Sequence, residues 1–209
     1  MPINRPEPGA DVIEGRSGVA RPAATVIVLR GADARLEVLL VRRHPDARVM
    51  GGAWVFPGGS VDPGDGAGQA GLRAAAIREL REEAGITLDA DTELLPFMRW
   101  ITPERRQRRF DTWFFLTNEP TGAAPRIDGS EIVDFRWTSP EAALRAASGG
   151  ELPLVFPTIK QLERLGRFAS AEELLTHARG TAVTAIQPRI VGAGEHARIL
   201  LPGDRGYED

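Results

Sequence analysis

The alternation of apolar and polar positions along the chain predicts a β-rich first part. Two runs of branched aliphatic residues, 24–29 and 36–41, flank the sequence Gly-Ala-Asp at 31–33, an arrangement typical of a β-hairpin. Other apolar runs, bounded by proline, asparagine or glycine, predict additional strands. These runs are residues 94–100, 110–117 and 132–137. We therefore expect a multi-stranded sheet.

The clearest helix pattern covers residues 72–84, which are rich in strong helix formers and end before Gly85, a residue typical of helix C-termini. A second helix is predicted to start at Ser139, because serine is a good N-cap and Pro140 suits the first helical position. This second helix should end at the two glycines, residues 149–150. Two more helices are predicted at residues 158–167 and 170–178. Proline and glycine then recur, which predicts an irregular tail.

The chain of 209 residues is long enough to bury a substantial core in one domain. Residues 1–21 lack periodicity and predict an extended N-terminal arm. We expect folding to begin near Ala23 and residues 22–209 to form a single domain with a C-terminal helical extension. Strands mixed with helices, without a regular βαβ alternation, favour an α/β class in which helices cover a sheet.

Composition excludes several classes of function. Cysteine is absent, which removes disulfides, thiolate metal ligands and cysteine nucleophiles. The net charge of −3 gives no global positive field, so nucleic acid is not an expected partner. No apolar run approaches the roughly 18 residues needed to span a bilayer, and the first residues lack a signal-peptide pattern. These features favour a cytoplasmic protein without a membrane partner.

Three carboxylates carry the candidate chemistry. Glu79, Glu82 and Glu83 lie at positions i, i+3 and i+4, so on a helix they project from nearly one face. A solvated acidic helix face would have the same pattern. The preceding sequence Phe-Pro-Gly-Gly at 56–59 favours a binding site instead, because a glycine-rich turn lets backbone groups approach a ligand closely. Such a cluster suits Mg²⁺, which prefers oxygen ligands.

At these residues the sequence resembles the Nudix box, G-x5-E-x7-R-E-U-x-E-E-x-G-U, where U is apolar. Residues 78–86 match its second half in full, and Gly59 followed after five residues by Asp65 resembles its first half. The resemblance implies a Nudix-type α/β/α sandwich with a mixed β-sheet, followed here by C-terminal helices.

The first half of the box departs from the family pattern. Asp65 stands where the family has glutamate, and twelve residues rather than seven separate it from Arg78. The additional residues, within 66–72, are predicted to lengthen the loop before the helix. Counting back from Arg78 instead places Ala70 at the acidic position, so the sequence leaves that assignment open.

A second resemblance overlaps the first. Leucines at 39–40, Arg43, Arg48, Gly52 and residues 56–59 have the spacing of the motif that precedes the Nudix box in coenzyme A diphosphatases, with departures at Val41 and His44. The longer arrangement is most similar to the branch that contains the peroxisomal acyl-CoA diphosphatases. The resemblance implies a small-molecule nucleotide-diphosphate substrate, a diphosphatase (pyrophosphatase) activity and, as an open expectation, a homodimer.

The Nudix resemblance also implies roles for individual residues. Mg²⁺, for which Mn²⁺ should substitute, would be held by Glu79, Glu82 and Glu83 with the carbonyl of Gly58, while Arg78 orients the carboxylates. Glu131 is a further catalytic candidate, and a surface glutamate at a strand start is its alternative interpretation. The expected substrate-binding residues are Arg43, Arg48, Arg109, Gly58 and Gly59. For the arginines around Arg109, a solvated loop is the alternative to a phosphate clamp.

Three functions remain open at this point. The first is hydrolysis of coenzyme A or acyl-CoA to 3',5'-ADP and (acyl-)4'-phosphopantetheine. The second is Nudix hydrolysis of another substrate, such as ADP-ribose, NADH or a capped RNA end. The third is a non-catalytic ligand sensor, which the intact residues 78–83 argue against because a sensor does not need them.

Overall fold

The computed structural model describes residues 18–31, 35–89, 91–127, 129–192 and 196–208. The predicted N-terminal arm lies outside these residues except for its last part. The strands are β1 (Arg21–Arg30), β2 (Glu37–Arg43), β3 (Trp54–Val55), β4 (Gly58–Ser60), β5 (Leu95–Ile101), β6 (Phe110–Asn118), β7 (Ile132–Thr138), β8 (Ala185–Ile186), β9 (Arg189–Val191) and β10 (Arg198–Leu200). The helices are α1 (Gly68–Ala84), α2 (Pro140–Ser148), α3 (Phe156–Leu165) and α4 (Ala171–Arg179), with a short 3₁₀ turn at Pro63–Asp65.

Strand β1 lies at the centre of a mixed sheet with the order β3-β2-β1-β6-β5-β8. It pairs in parallel with β6 along most of its length and antiparallel with β2 and β4. Strand β7 extends the sheet along β2, and β5 pairs antiparallel with β6 and in parallel with β8. The predicted hairpin of the first two strands is therefore confirmed.

Helices cover both faces of this sheet. Alternate residues of β1 show the division: Val26 and Val28 pack in a cluster with α1, whereas Ile27 and Leu29 pack in a second cluster with α2, α3 and α4. The pattern follows from the period of two along a strand. The predicted α/β/α sandwich with a mixed sheet is confirmed. No helix in the described ranges combines the length and apolarity that crossing a membrane requires.

Two local expectations were wrong. Helix α1 begins at Gly68, so residues 68–71, predicted as loop, form its first turn, and only Gly66 and Ala67 separate it from the 3₁₀ turn. The tail is also not wholly irregular, because β8 joins the main sheet and β9 pairs with β10 in a ribbon. Each of these strands has only two or three residues, too few to produce a detectable apolar pattern.

Candidate active site

The two consecutive glycines bring strand β4 against the carboxylates of α1. The backbone N–H of Gly58 donates to Oε2 of Glu83 at 2.8 Å. A Cβ added to Gly59 would lie 2.4 Å from Oε1 of Glu79, closer than side chains tolerate. A side chain at residue 59 would therefore displace the Glu79 carboxylate from its place beside the strand.

Glu83 is a buried carboxylate, with its residue only 4% exposed. Besides Gly58, it accepts a hydrogen bond from Nη1 of Arg43 at 3.2 Å. Burial raises the pKa of the Glu83 carboxyl to about 7, and the nearby carboxylates of Glu79 and Glu131 add to this effect, whereas Gly58 and Arg43 oppose it. Burial likewise raises the pKa of Glu79. The site thus concentrates negative charge where water is scarce.

Arg78 connects the helix to the chain that precedes it. Its guanidinium donates two hydrogen bonds to the Asp65 carboxylate and one to the carbonyl of Ser60 at 3.0 Å. Its Nη1 also donates to Glu79 at 2.7 Å and to Glu82 at 3.0 Å. Arg78 therefore binds the carboxylates of Glu79 and Glu82, and Asp65 rather than Ala70 lies beside its guanidinium.

A cavity of about 440 Å³ opens in front of these carboxylates. Four acidic residues, Asp62, Glu79, Glu83 and Glu131, line it together with Arg43, Gly58 and Gly59. The remaining wall is largely apolar or carries hydroxyl groups. It includes Val49, Met50, Val55, Phe56, Trp100, Phe110, Phe114, Val155 and Pro157, with Thr25, Thr102, Thr112 and Thr158. The cavity thus combines an acidic side with an apolar side, an arrangement typical of small-molecule sites.

The donor set fits a hard divalent cation. Carboxylate oxygens are the ligands that Mg²⁺ prefers. The carboxylates of Glu79 and Glu83 lie directly against the backbone of Gly59 and Gly58. Within the described residues no three acidic or histidine side chains already form a cation site. In the structure Arg78 binds Glu79 and Glu82, and Arg43 binds Glu83. A bound cation would replace these arginines as the partner of the carboxylates.

Other predicted site residues do not line the cavity. Glu82 lies outside it, with half of its side chain exposed and paired with Arg78. Arg48 is exposed on the loop after β2. Arg109 uses its guanidinium to bind the carbonyls of Thr102 and Gly18, both at 3.0 Å. Substrate contacts by Arg48 and Arg109 therefore stay predictions.

Arg105 belongs to the arginine-rich segment that includes Arg109. It donates to the backbone carbonyls of Ile190 and Gly192 at 3.2 Å and 2.6 Å. It therefore fixes the C-terminal ribbon to the loop before β6. This contact supports a structural role for Arg105 rather than a phosphate clamp.

The sequence did not identify most of the apolar wall. Phe110, Thr112 and Phe114 alternate along β6 on the side of the sheet that faces the cavity, so the period of two could have singled them out. Met50 gave no signal in the sequence. It has a φ of 54°, rare for a residue with a side chain, and its side chain is exposed at the cavity.

Comparison with known proteins places this geometry in a family. A protein named nudix hydrolase 7 from Caenorhabditis elegans is 29% identical over 225 residues, covering 90% of this chain and 75% of that protein. The acyl-coenzyme A diphosphatase NUDT19 of Homo sapiens is 36% identical over 115 residues, covering 52% of this chain and 30% of that protein.

A crystal structure of a NUDIX hydrolase from Alicyclobacillus acidocaldarius superimposes with a TM-score of 0.67 at 30% identity, covering 76% of this chain and 96% of that one. The family model of the NUDIX domain matches residues 19–156. Enzymes of this family act on small nucleotide-diphosphate substrates and generally use divalent metal ions. With the arginine-held carboxylates of α1 beside the cavity, these matches establish that the chain belongs to the Nudix family and is a Nudix hydrolase.

Proposed function

We propose that this hydrolase is a metal-dependent diphosphatase that cleaves the diphosphate of coenzyme A or acyl-CoA, giving 3',5'-ADP and 4'-phosphopantetheine, free or acylated. The observation that carries the proposal is the cavity itself, in which the buried Glu83 and the partly buried Glu79 adjoin an apolar wall. A charged diphosphate suits the first side once a cation neutralises it, and the less polar part of the substrate suits the second. The identity to an acyl-coenzyme A diphosphatase across half of the chain supports the same substrate class.

In this proposal Glu79, Glu82, Glu83 and the carbonyl of Gly58 hold Mg²⁺, and Mn²⁺ substitutes for it. When bound there, the cation would polarise the diphosphate and would lower the pKa of an attacking water. Arg78 keeps the carboxylates of Glu79 and Glu82 in place through its two hydrogen bonds.

The other expected residues act on the water and the substrate. Glu131 accepts the proton of the water at a carboxylate oxygen, a role supported by its place on the cavity next to Glu83. The substrate phosphates contact Arg48 and the backbone of Gly58 and Gly59, with Arg109 as a further contact. An exposed arginine suits this role, because its guanidinium can pair with two phosphate oxygens.

Substrate profiling of the purified protein tests the proposal. Coenzyme A, acyl-CoA, dephospho-CoA, ADP-ribose and NADH should be compared at equal concentrations with Mg²⁺ or Mn²⁺, and the products separated by chromatography. We expect coenzyme A species to have the highest kcat/KM and to give 3',5'-ADP. Far better hydrolysis of ADP-ribose or NADH would reject the coenzyme A assignment and support the second function named above.

Removal of one cation ligand tests the chemistry itself. Glu83→Gln keeps the size and helix propensity of the side chain but removes its charge. The loss of about 3 kcal/mol of transition-state stabilisation corresponds to more than about a hundredfold in kcat. Glu172→Gln, on the exposed first turn of α4, is the matched control and should keep full activity. A Glu83→Gln variant with near-native turnover would reject the cation site.

A further inference from the structure

One guanidinium group joins the acidic side of the cavity to a loop that forms another part of its wall. Nη1 of Arg43 lies 3.2 Å from Oε1 of Glu83, and its Nε donates to the backbone carbonyl of Val49 at 3.1 Å. The Glu83 side chain is 3% exposed and that of Arg43 22% exposed. Both contacts are therefore largely shielded from water, where charge-assisted hydrogen bonds are strong.

The local backbone explains why Arg43 reaches both partners. The pairing of β2 with β7 shifts register between Arg42 and Arg43, and such irregularities redirect side chains near active sites. Immediately after this shift, the N–H of His44 donates to the carbonyl of Glu131 at 2.7 Å. The end of β2 is therefore fixed beside Glu83 and Glu131, two of the four carboxylate residues that line the cavity.

The loop that Arg43 holds, residues 44–53, supplies Val49 and Met50 to the cavity wall. The positive φ of Met50 costs backbone energy and persists only if surrounding contacts impose it. The bond from Arg43 to Val49 is one residue away from this strained position. Arg43 thus helps to impose the conformation that presents Met50 to the cavity.

We propose that Arg43 is a positioning residue that sets the Glu83 carboxylate and the wall formed by loop 44–53 with one side chain. Its guanidinium is committed to these two partners, so its contribution is to the geometry of the site more than to binding substrate phosphates. The inference rests on the proposed function, in which Glu83 holds the cation. It predicts that disturbing Arg43 alters the cation site and the loop together.

Arg43→Lys is the variant that tests this, because lysine keeps the positive charge but cannot donate in two directions from a planar fork. Arg42→Lys is the matched control. Nε of Arg42 donates to the carbonyl of Gly52 at 3.4 Å, in the same loop, but no hydrogen bond or ion pair to Glu83 is described for it. Circular dichroism should first establish that each variant is folded, and Arg43→Gln should replace Arg43→Lys if the latter is not.

Two measurements need no substrate. Titration calorimetry with Mn²⁺ or Mg²⁺ alone should give about tenfold weaker binding in Arg43→Lys and unchanged binding in Arg42→Lys. Hydrogen exchange of the metal-free protein should be faster across residues 44–53 in Arg43→Lys. Unchanged cation affinity together with unchanged exchange of the loop would overturn the proposal.

Kinetics separate positioning from a phosphate clamp. A positioning role predicts a kcat lower by about 10- to 100-fold with KM within about threefold, whereas a clamp predicts a raised KM with kcat retained. A raised KM alone would overturn the proposal. If the parent protein binds the cation but hydrolyses none of the tested nucleotides, the proposed function fails, and calorimetry and hydrogen exchange still decide the role of Arg43.

Discussion

The guanidinium of Arg78 forms a two-pronged pair with the carboxylate of Asp65, with Nε donating to Oδ1 at 3.1 Å and Nη2 donating to Oδ2 at 2.9 Å. This pair places Asp65 in the acidic position of the family motif, although the chain between the two residues is longer than usual. The side chain of Asp65 is only 7% exposed. Asp65 therefore binds Nε and Nη2 of Arg78, while Nη1 of the same guanidinium binds Glu79 and Glu82.

We predict that Asp65→Asn lowers the free energy of unfolding by about 2 kcal/mol, because the charge-assisted pair is lost in a largely buried place. Urea denaturation measures the change. Asp62→Asn is the control: Asp62 lies 3.7 Å from the same guanidinium but its side chain is 64% exposed, so its loss should cost less than about 1 kcal/mol. Equal effects of the two substitutions would contradict the role of the pair.

The same pair makes a prediction about pH. The hydrogen bonds from Arg78 lower the pKa of Asp65 below its ordinary value of 3.8. The folded protein therefore holds the carboxylate ionised in a range where the unfolded chain takes up a proton, and the stability from this group is lost as pH falls below 3.8. The difference in unfolding free energy between the parent protein and Asp65→Asn should accordingly stay constant well above pH 3.8 and shrink as pH falls below 3.8.

A second prediction concerns the adjacent glycines. Gly59→Ala should leave the free energy of unfolding within about 1 kcal/mol of the parent, because the new Cβ meets only the flexible end of Glu79, but it should lower kcat more than about tenfold by displacing that carboxylate. Gly58→Ala meets the backbone carbonyl of Ala24 at 2.5 Å and should destabilise by about 1 to 3 kcal/mol. Thermal unfolding and steady-state kinetics separate the two effects.

Gly64→Ala controls for both substitutions, since a Cβ there meets open space. It should change neither the midpoint of unfolding nor kcat appreciably. Full activity of Gly59→Ala would show that Glu79 need not stay where the structure has it.

A third prediction follows from the raised pKa of Glu83, about 7 against an ordinary 4.5. Below pH 7 a cation must displace a proton from this carboxyl, so the apparent affinity for Mn²⁺ should rise with pH between 6 and 8, by up to about tenfold per unit below pH 7. In the metal-free protein, ionising the buried group reduces stability as pH rises from 4.5 through 7, so the stabilisation gained from the cation should grow over that range.

Calorimetry in buffers of different ionisation enthalpy counts the released protons directly. Glu83→Gln should flatten the pH dependence. A Mn²⁺ affinity that is the same at pH 6 and pH 8 in the parent protein would contradict ligation by Glu83.

A fourth prediction tests Glu131 as the base. Glu131→Gln should lower kcat by about a hundredfold while KM stays within about threefold, because only the side chain changes and the carbonyl that accepts from His44 is kept. Asp134→Asn, an exposed position on β7, the strand that follows Glu131, should be near-native. Native kcat in Glu131→Gln would leave Glu131 as an ordinary surface glutamate at a strand start.

Sequence reasoning succeeded where one hydrophobic periodicity or one helix-capping residue determines the local structure. Ser139 and Pro140 predicted the start of α2, and Ser139 indeed accepts from the N–H of Ala142. It failed at residues 68–71, because two glycines with low helix propensity argue against a helix there. The first turn forms nevertheless, with Gly71 packed so closely on Gly66 that a Cβ would lie 2.6 Å from its carbonyl oxygen. Tertiary contact overrides propensity at this point.

At the site, the motif indicated the residue types but not what each guanidinium binds. Arg43 and Arg109 look alike in sequence, as cations beside a motif, yet one pairs with Glu83 and the other with the carbonyl of Gly18. Such partners lie far away along the chain, so no local pattern encodes them. The same limit hid Pro157 and Thr158, which reach the cavity from a helix beyond the motif.

Val155, Pro157 and Thr158 form a part of the cavity wall that is attached to β3. The N–H of Trp54 donates to the carbonyl of Pro153 at 2.8 Å, and Trp54 forms a β-bridge with Leu154. The family match ends at residue 156, within this wall. In the proposed function this wall meets the less polar part of the substrate, so substitutions at residues 155–158 should change the choice of substrate more than they change cation binding.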